Sequence, residues 1–163
     1  MAVSKTKTES QPINLEVKVV VRNIADWDAN FARLVDGYGD VRIVPNGTVM
    51  LSRNEIIAQV QNGNTLLAGI DGAGSHANLY IEDEATRREL GFETDTKKQN
   101  ILNDEKVKAL FALSPQNRFE EEFKKEILTR AEGKALMGIV KRLGINDYNK
   151  IRFAEKTTGF TYE

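Results

Sequence analysis

The sequence predicts an α+β fold: a small antiparallel or mixed sheet with short helices against it, followed by a C-terminal helical unit. Three observations carry that expectation. Short apolar runs, alternating or rich in β-branched residues, gather before residue 92. Two glycine turns, Pro45-Asn46-Gly47 and Gly69 to Gly74, lie between such runs, as antiparallel connections do. Beyond residue 100 the apolar residues recur only at helical spacing.

Residues 1–12 are polar, rich in Ser, Thr and Lys, and bury too little to offset the entropy of ordering; they predict a flexible N-terminal arm. A sharper alternative is an arm that orders on a neighbouring subunit. Ile13 to Val21 alternates and then thickens into Val19-Val20-Val21, a strand pattern. From Ile24 the period changes, and Trp27, Phe31, Leu34 and Val35 predict a helix ending near Gly37. Val41 to Val44 and Thr48 to Leu51 read as two strands joined by an Asn-Gly hairpin turn. Ser52-Arg53-Asn54-Glu55 matches a capping box, opening a helix with Ile56, Ile57 and Val60 that Asn62-Gly63-Asn64 stops. Thr65-Leu66-Leu67 and Ala77 to Ile81 predict a strand pair around the glycine loop.

Asp83 is a natural N-cap for residues 84–90, with Gly91 as the stop and Phe92 folding back. The α+β unit would thus span 13–92, a polar linker 93–100, the helical unit 101–156, and a tail 157–163. Within the helical unit Val107, Leu110 and Phe111 form one stripe and Phe119, Phe123 and Ile127 the next. Leu136, Ile139, Val140 and Leu143 make a third, stopped by Gly144; Asn146 or Asp147 caps a last helix with Tyr148 and Ile151. Phe160 and Tyr162 give the tail something to dock.

Composition removes most familiar chemistries. Of 163 residues, 40% are hydrophobic and 29% charged, an ordinary globular mixture with a formal net charge of −1. Such a balance supplies no global attraction to nucleic acid or anionic membrane. No apolar run approaches the roughly 18 residues that span a bilayer, and the N-terminus lacks a signal-peptide core, so the expected location is the cytoplasm or a virion. With 0 cysteines, disulfides, thiolate metal sites and cysteine nucleophiles are excluded. The 1 histidine, His76, excludes two-histidine metal sites.

The segment Gly69-Ile70-Asp71-Gly72-Ala73-Gly74 invites comparison with a phosphate loop, but no helix N-terminus and no Lys-Ser or Lys-Thr pair follows. No cofactor is expected. Asp71, Ser75 and His76 are the residues from which an acid–base–nucleophile set could be drawn. On a strand, however, Ser75 and His76 face opposite ways, and a histidine satisfying a neighbouring carbonyl is the simpler reading. The acidic runs Glu82-Asp83-Glu84 and Glu120-Glu121-Glu122 read as capping chemistry and a solvated helix face, so no metal site is expected. Lys141, Arg142, Lys150 and Arg152 flank the turn at Leu143 to Asn146, as basic residues do in a helix-turn-helix; Asp147 and Glu155 oppose that reading.

Leu79-Tyr80-Ile81-Glu82-Asp83, Arg87-Arg88-Glu89-Leu90-Gly91-Phe92 and Ile145-Asn146-Asp147-Tyr148-Asn149-Lys150-Ile151 belong to a chain with a polar Lys/Thr arm, a cysteine-free α+β body and a helical tail. In that overall plan the sequence resembles small tailed-bacteriophage virion or accessory proteins. The resemblance implies capsid or tail assembly, or inhibition of a host factor, and carries no functional residue across. The expectation is therefore a non-enzymatic structural or partner-binding protein, acting by self-assembly or on a protein partner. The alternative is a nucleic-acid-binding regulator using the C-terminal helices.

Overall fold

The computed structural model describes residues 12–162. The arm expected at 1–12 lies, Pro12 apart, outside the described residues. The fold is α+β, with helices filling the C-terminal part.

Strand β1 (Lys18–Asn23) is the centre of a three-stranded antiparallel sheet, ordered β4-β1-β5, with β4 Thr48–Ser52 and β5 Leu79–Ile81. The strand read from Ile13 begins only at Lys18: Leu15 and Val17 are exposed, their carbonyls taken by the N–H groups of Asn54 and Arg53, and the inward alternation runs through Val19, Val21 and Asn23. The segment read as a helix from Ile24 to Gly37 is instead an antiparallel hairpin. Its strands are β2 (Ala29–Ala32) and β3 (Asp40–Ile43), paired Ala29 to Ile43 and Phe31 to Val41. Ala29, Val41 and Ile43 enter the core, whereas Leu34 and Val35 face solvent; the helical spacing was coincidental. The Asn-Gly turn is present, with Asn46 at φ 58°, but β3 and β4 on its two sides pair with different partners.

Helix α1 (Arg53–Gln61) begins at Ser52, as expected. Its first two N–H groups are taken by the carbonyls of Val17 and Leu15 at 3.0 Å, so the entering chain caps the helix as well. Thr65 to Leu67, read as a strand, belongs to a short helix α2 (Thr65–Ala68), because Asn64 accepts the Leu66 N–H and starts a new turn. The glycine loop therefore joins a helix to β5 and is not a hairpin. Helix α3 (Glu84–Glu89) has the predicted Asp83 cap, and Phe92 folds back fully buried.

The buried apolar side chains form two clusters. One, drawn from residues 19–92, packs α1, α2 and the β2–β3 hairpin on one face of the sheet. The other gathers α4 (Asp104–Phe111), α5 (Gln116–Glu126), α6 (Arg130–Arg142) and α7 (Tyr148–Thr158). At its centre Phe119 and Phe123 meet Phe153 edge-on, with centroids 5.9 and 5.5 Å away. Helix α7 runs beyond the expected 156 to Thr158, where Gly159 at φ 77° closes it, and Phe160 and Tyr162 pack back. Ile24 crosses from the sheet side to the helical cluster.

Candidate functional site

Four places bear on function: the glycine loop, the cleft between the two clusters, the C-terminal basic residues, and the tip of the β2–β3 hairpin. At the glycine loop Asp71 is spent on local structure. It accepts the Ala73 N–H at 2.8 Å and the Ser75 N–H at 3.2 Å, and these bonds, with that from the Ser75 hydroxyl foremost, hold its carboxyl below the ordinary carboxylate range. His76 points elsewhere: it sits buried at φ 59° with Nδ1 2.7 Å from Glu132 Oε2 of α6. Its partner is thus a carboxylate on a distant helix and not the nearby carbonyl expected. Its Nε2 lies 3.4 Å from Asn100 Nδ2, and the Asn100 oxygen faces the Lys106 ammonium. Since an ammonium only donates, Asn100 turns its NH2 to His76, which fixes Nε2 as an acceptor and Nδ1–H as the donor to Glu132. The ring is fully engaged, with Ser75 outside its bonds. This set ties the loop to α6 and to the segment leading into α4.

A concavity of about 1150 Å³ lies between the outer face of the sheet and α6. Arg22 and Tyr80 line one wall, with Gly138 and Ile139 on the other. Its guanidinium groups are neutralised in place: Arg22 by Glu82 at 2.6 Å, Arg87 by Glu93 at 2.9 Å, Arg88 by Asp95 at 2.6 Å. Arg87 also donates to the Ile81 carbonyl at 2.7 Å and covers the Tyr80 ring at 5.0 Å. Paired in this way, these arginines set up little field of their own for a polyanion, and Lys97 and Lys98 complete the lining.

Of the four residues read as nucleic-acid contacts, three have partners within the fold. Lys150 is buried, and its ammonium donates to the Phe111 carbonyl at 2.6 Å beside Phe119. Arg142 Nη1 bonds Asp104 at 3.0 Å, and Arg152 stacks over Tyr148 at 5.6 Å. Lys141 is exposed. Among the described residues no group of acidic or histidine side chains converges as metal ligands do, and no helix is long and apolar enough to cross a membrane.

The hairpin tip, residues 33–39, is the feature that sequence reading missed. Glu55 is fully buried on α1, and its carboxylate accepts the N–H groups of Leu34 at 2.7 Å, Val35 at 2.6 Å and Asp36 at 3.4 Å. Gln59 adds a bond to the Ala32 carbonyl at 2.7 Å. Asp36 answers by accepting the Ser52 N–H at 2.9 Å and the Ser52 hydroxyl. Burial, the largest single influence on Asp36, raises its pKa. The two Ser52 bonds, with Lys18 and Arg33 nearby, outweigh it and leave the carboxyl below the ordinary range. Two carboxylates therefore hold the tip in one shape. It displays Leu34 at 46%, Val35 at 45% and Tyr38 at 102% exposure. The available signal was the Glu55 side chain in a capping-box position with a better offer elsewhere. No protein family, curated protein or solved structure matches the chain.

Proposed function

We propose that this protein acts by binding polypeptide, its own chain included, through the apolar hairpin tip, and not by catalysis. The observation that carries the reading is the clamped tip: three large apolar side chains turned to solvent on a loop whose backbone N–H groups are fixed from below. A rigid apolar projection loses little entropy on docking, which is what a recognition surface requires. Assembly of a virion, the setting implied by the resemblance to phage proteins, is a use we propose for it. The nucleic-acid alternative has less behind it, since Lys150 and Arg142 are engaged internally.

The test is a Tyr38→Ala, Leu34→Ser double variant compared with the wild type by sedimentation and thermal unfolding. Both sites are exposed, so stability should change by no more than about 0.5 kcal/mol per site. Association should weaken at least about tenfold. Unchanged association would remove the tip from the interface and the reading with it.

A further inference from the structure

We infer that strand β4 carries a second interface, an open edge that pairs antiparallel with β4 of a second copy of this chain about a two-fold axis at Val49. The inference rests on the polypeptide-binding reading and specifies its partner and geometry.

Hydrogen-bond phase locates the open groups. Asn23 donates to Gly47 and Arg53 to Val17, so the alternating pairs Val21–Val49 and Val19–Leu51 are those whose backbone groups face β1. Thr48, Met50 and Ser52 must then direct theirs away from β1. The Ser52 N–H is already taken by Asp36, and its carbonyl opens α1 as the cap residue. What remains is the N–H and C=O of Thr48 and of Met50. That set is its own complement: in an antiparallel pair centred on Val49, Thr48 meets the partner's Met50 and Met50 meets the partner's Thr48. All of these groups are then satisfied, and the Ser52–Asp36 bond stays intact.

Composition agrees. Thr48-Val49-Met50-Leu51-Ser52 has no charge and no proline, the devices that normally blunt an edge, and Met50 is 53% exposed beside Val20. A two-fold pair therefore sets no like charges of the strand against each other. Asp36 ties the hairpin tip to the Ser52 end of the same edge, so tip and edge are continuous. The result is one six-stranded sheet across two copies, an isologous arrangement that closes on itself.

Because the chain has 0 cysteines, single cysteines report the register cleanly. Val49→Cys would meet its own copy at a non-hydrogen-bonded pair, where Cα atoms lie about 4.5 Å apart, within disulfide range. Under mild oxidation it should form covalent dimer at least about tenfold faster than Glu121→Cys on exposed α5. Met50→Lys should weaken association about tenfold or more while circular dichroism is unchanged. If Val49→Cys perturbs folding, the Met50→Lys comparison decides alone. Wild-type association with neither effect would overturn the edge pairing and leave the hairpin-tip reading standing. A wild type that is monomeric up to about 1 mM would overturn the pairing outright.

Discussion

Two glutamates occupy the same sequence signature and show how a residue's role depends on what lies across the fold. In Thr129-Arg130-Ala131-Glu132 the capping box is complete: Glu132 Oε1 accepts the Thr129 N–H at 3.1 Å, and Thr129 Oγ1 accepts the Glu132 N–H at 3.1 Å. In Ser52-Arg53-Asn54-Glu55 only the serine half forms, because the Glu55 carboxylate is claimed by the three N–H groups of the hairpin tip. Glu55→Ala would leave those donors short of partners, and we expect a loss of about 3 kcal/mol or more in denaturant unfolding. Glu55→Gln, which keeps one acceptor oxygen, should lose less. His76→Ala should cost more than a broken turn bond, about 2–3 kcal/mol, because it strips Glu132 of a buried partner; nitrogen NMR of the wild type should find the proton on Nδ1. Asp36 and Asp83 supply a pH dependence. For Asp83 burial is again the largest influence and raises the pKa, but bonds from Thr86 and Arg53 outweigh it and the net shift is downward. A depressed folded pKa contributes stability above the unfolded value of about 3.9 and loses it as pH falls through the folded value. Stability measured against pH should therefore fall below about pH 4. Asp36→Asn should make that acid limb shallower.

Among the elements, those legible in the sequence were the ones whose cause is local. The Ser52, Asp83 and Asp147 caps and the stripes of α4 to α6 depend on neighbours a turn away, and they stand where read. On α7 Ile151 packs inward as read, but Tyr148 is 68% exposed, and Ala154 and Phe153 complete the face instead. The hairpin at 29–43 was illegible because its reason lies on α1: without Glu55, the Trp27–Phe31–Leu34–Val35 spacing suits a helix. The glycine loop was misread as a hairpin turn because what anchors it is tertiary, the bond from His76 to Glu132 on α6. The loop also closes tightly on itself. Gly69 has φ 70°, and a Cβ there would stand 2.1 Å from the Ser75 carbonyl oxygen. Gly69→Ala should accordingly cost more than about 2 kcal/mol in unfolding experiments. The site was less legible than the fold, since exposure of Leu34, Val35 and Tyr38 follows only once the hairpin is known. On α6, Leu136 is fully buried, and Leu136→Asp should unfold at least the helical cluster, visible as lost helical circular dichroism. A folded Leu136→Asp variant would mean that the stripe is not a core.

Among the described residues, much of the charge is arranged in pairs. The cleft arginines are met by carboxylates, and the lysine and arginines of the last two helices largely bond or stack within the fold. Beside these, the described surface offers two apolar features in continuity, the hairpin tip and the β4 edge. A molecule of this kind should associate with polypeptide in a way that survives salt, because apolar burial is not screened. A nucleic-acid binder using Lys141, Arg142, Lys150 and Arg152 must instead release counterions and lose affinity steeply, with a log–log slope near −3 to −4 for four contacts. The measurement that separates them most directly is sedimentation of the pure protein, alone and with duplex DNA, at about 50 and about 200 mM salt. The account predicts self-association that is kept or strengthened at the higher salt, with no DNA complex tighter than weak micromolar. Tight DNA binding that collapses with salt and disappears in Lys141→Glu with Arg142→Glu would contradict it.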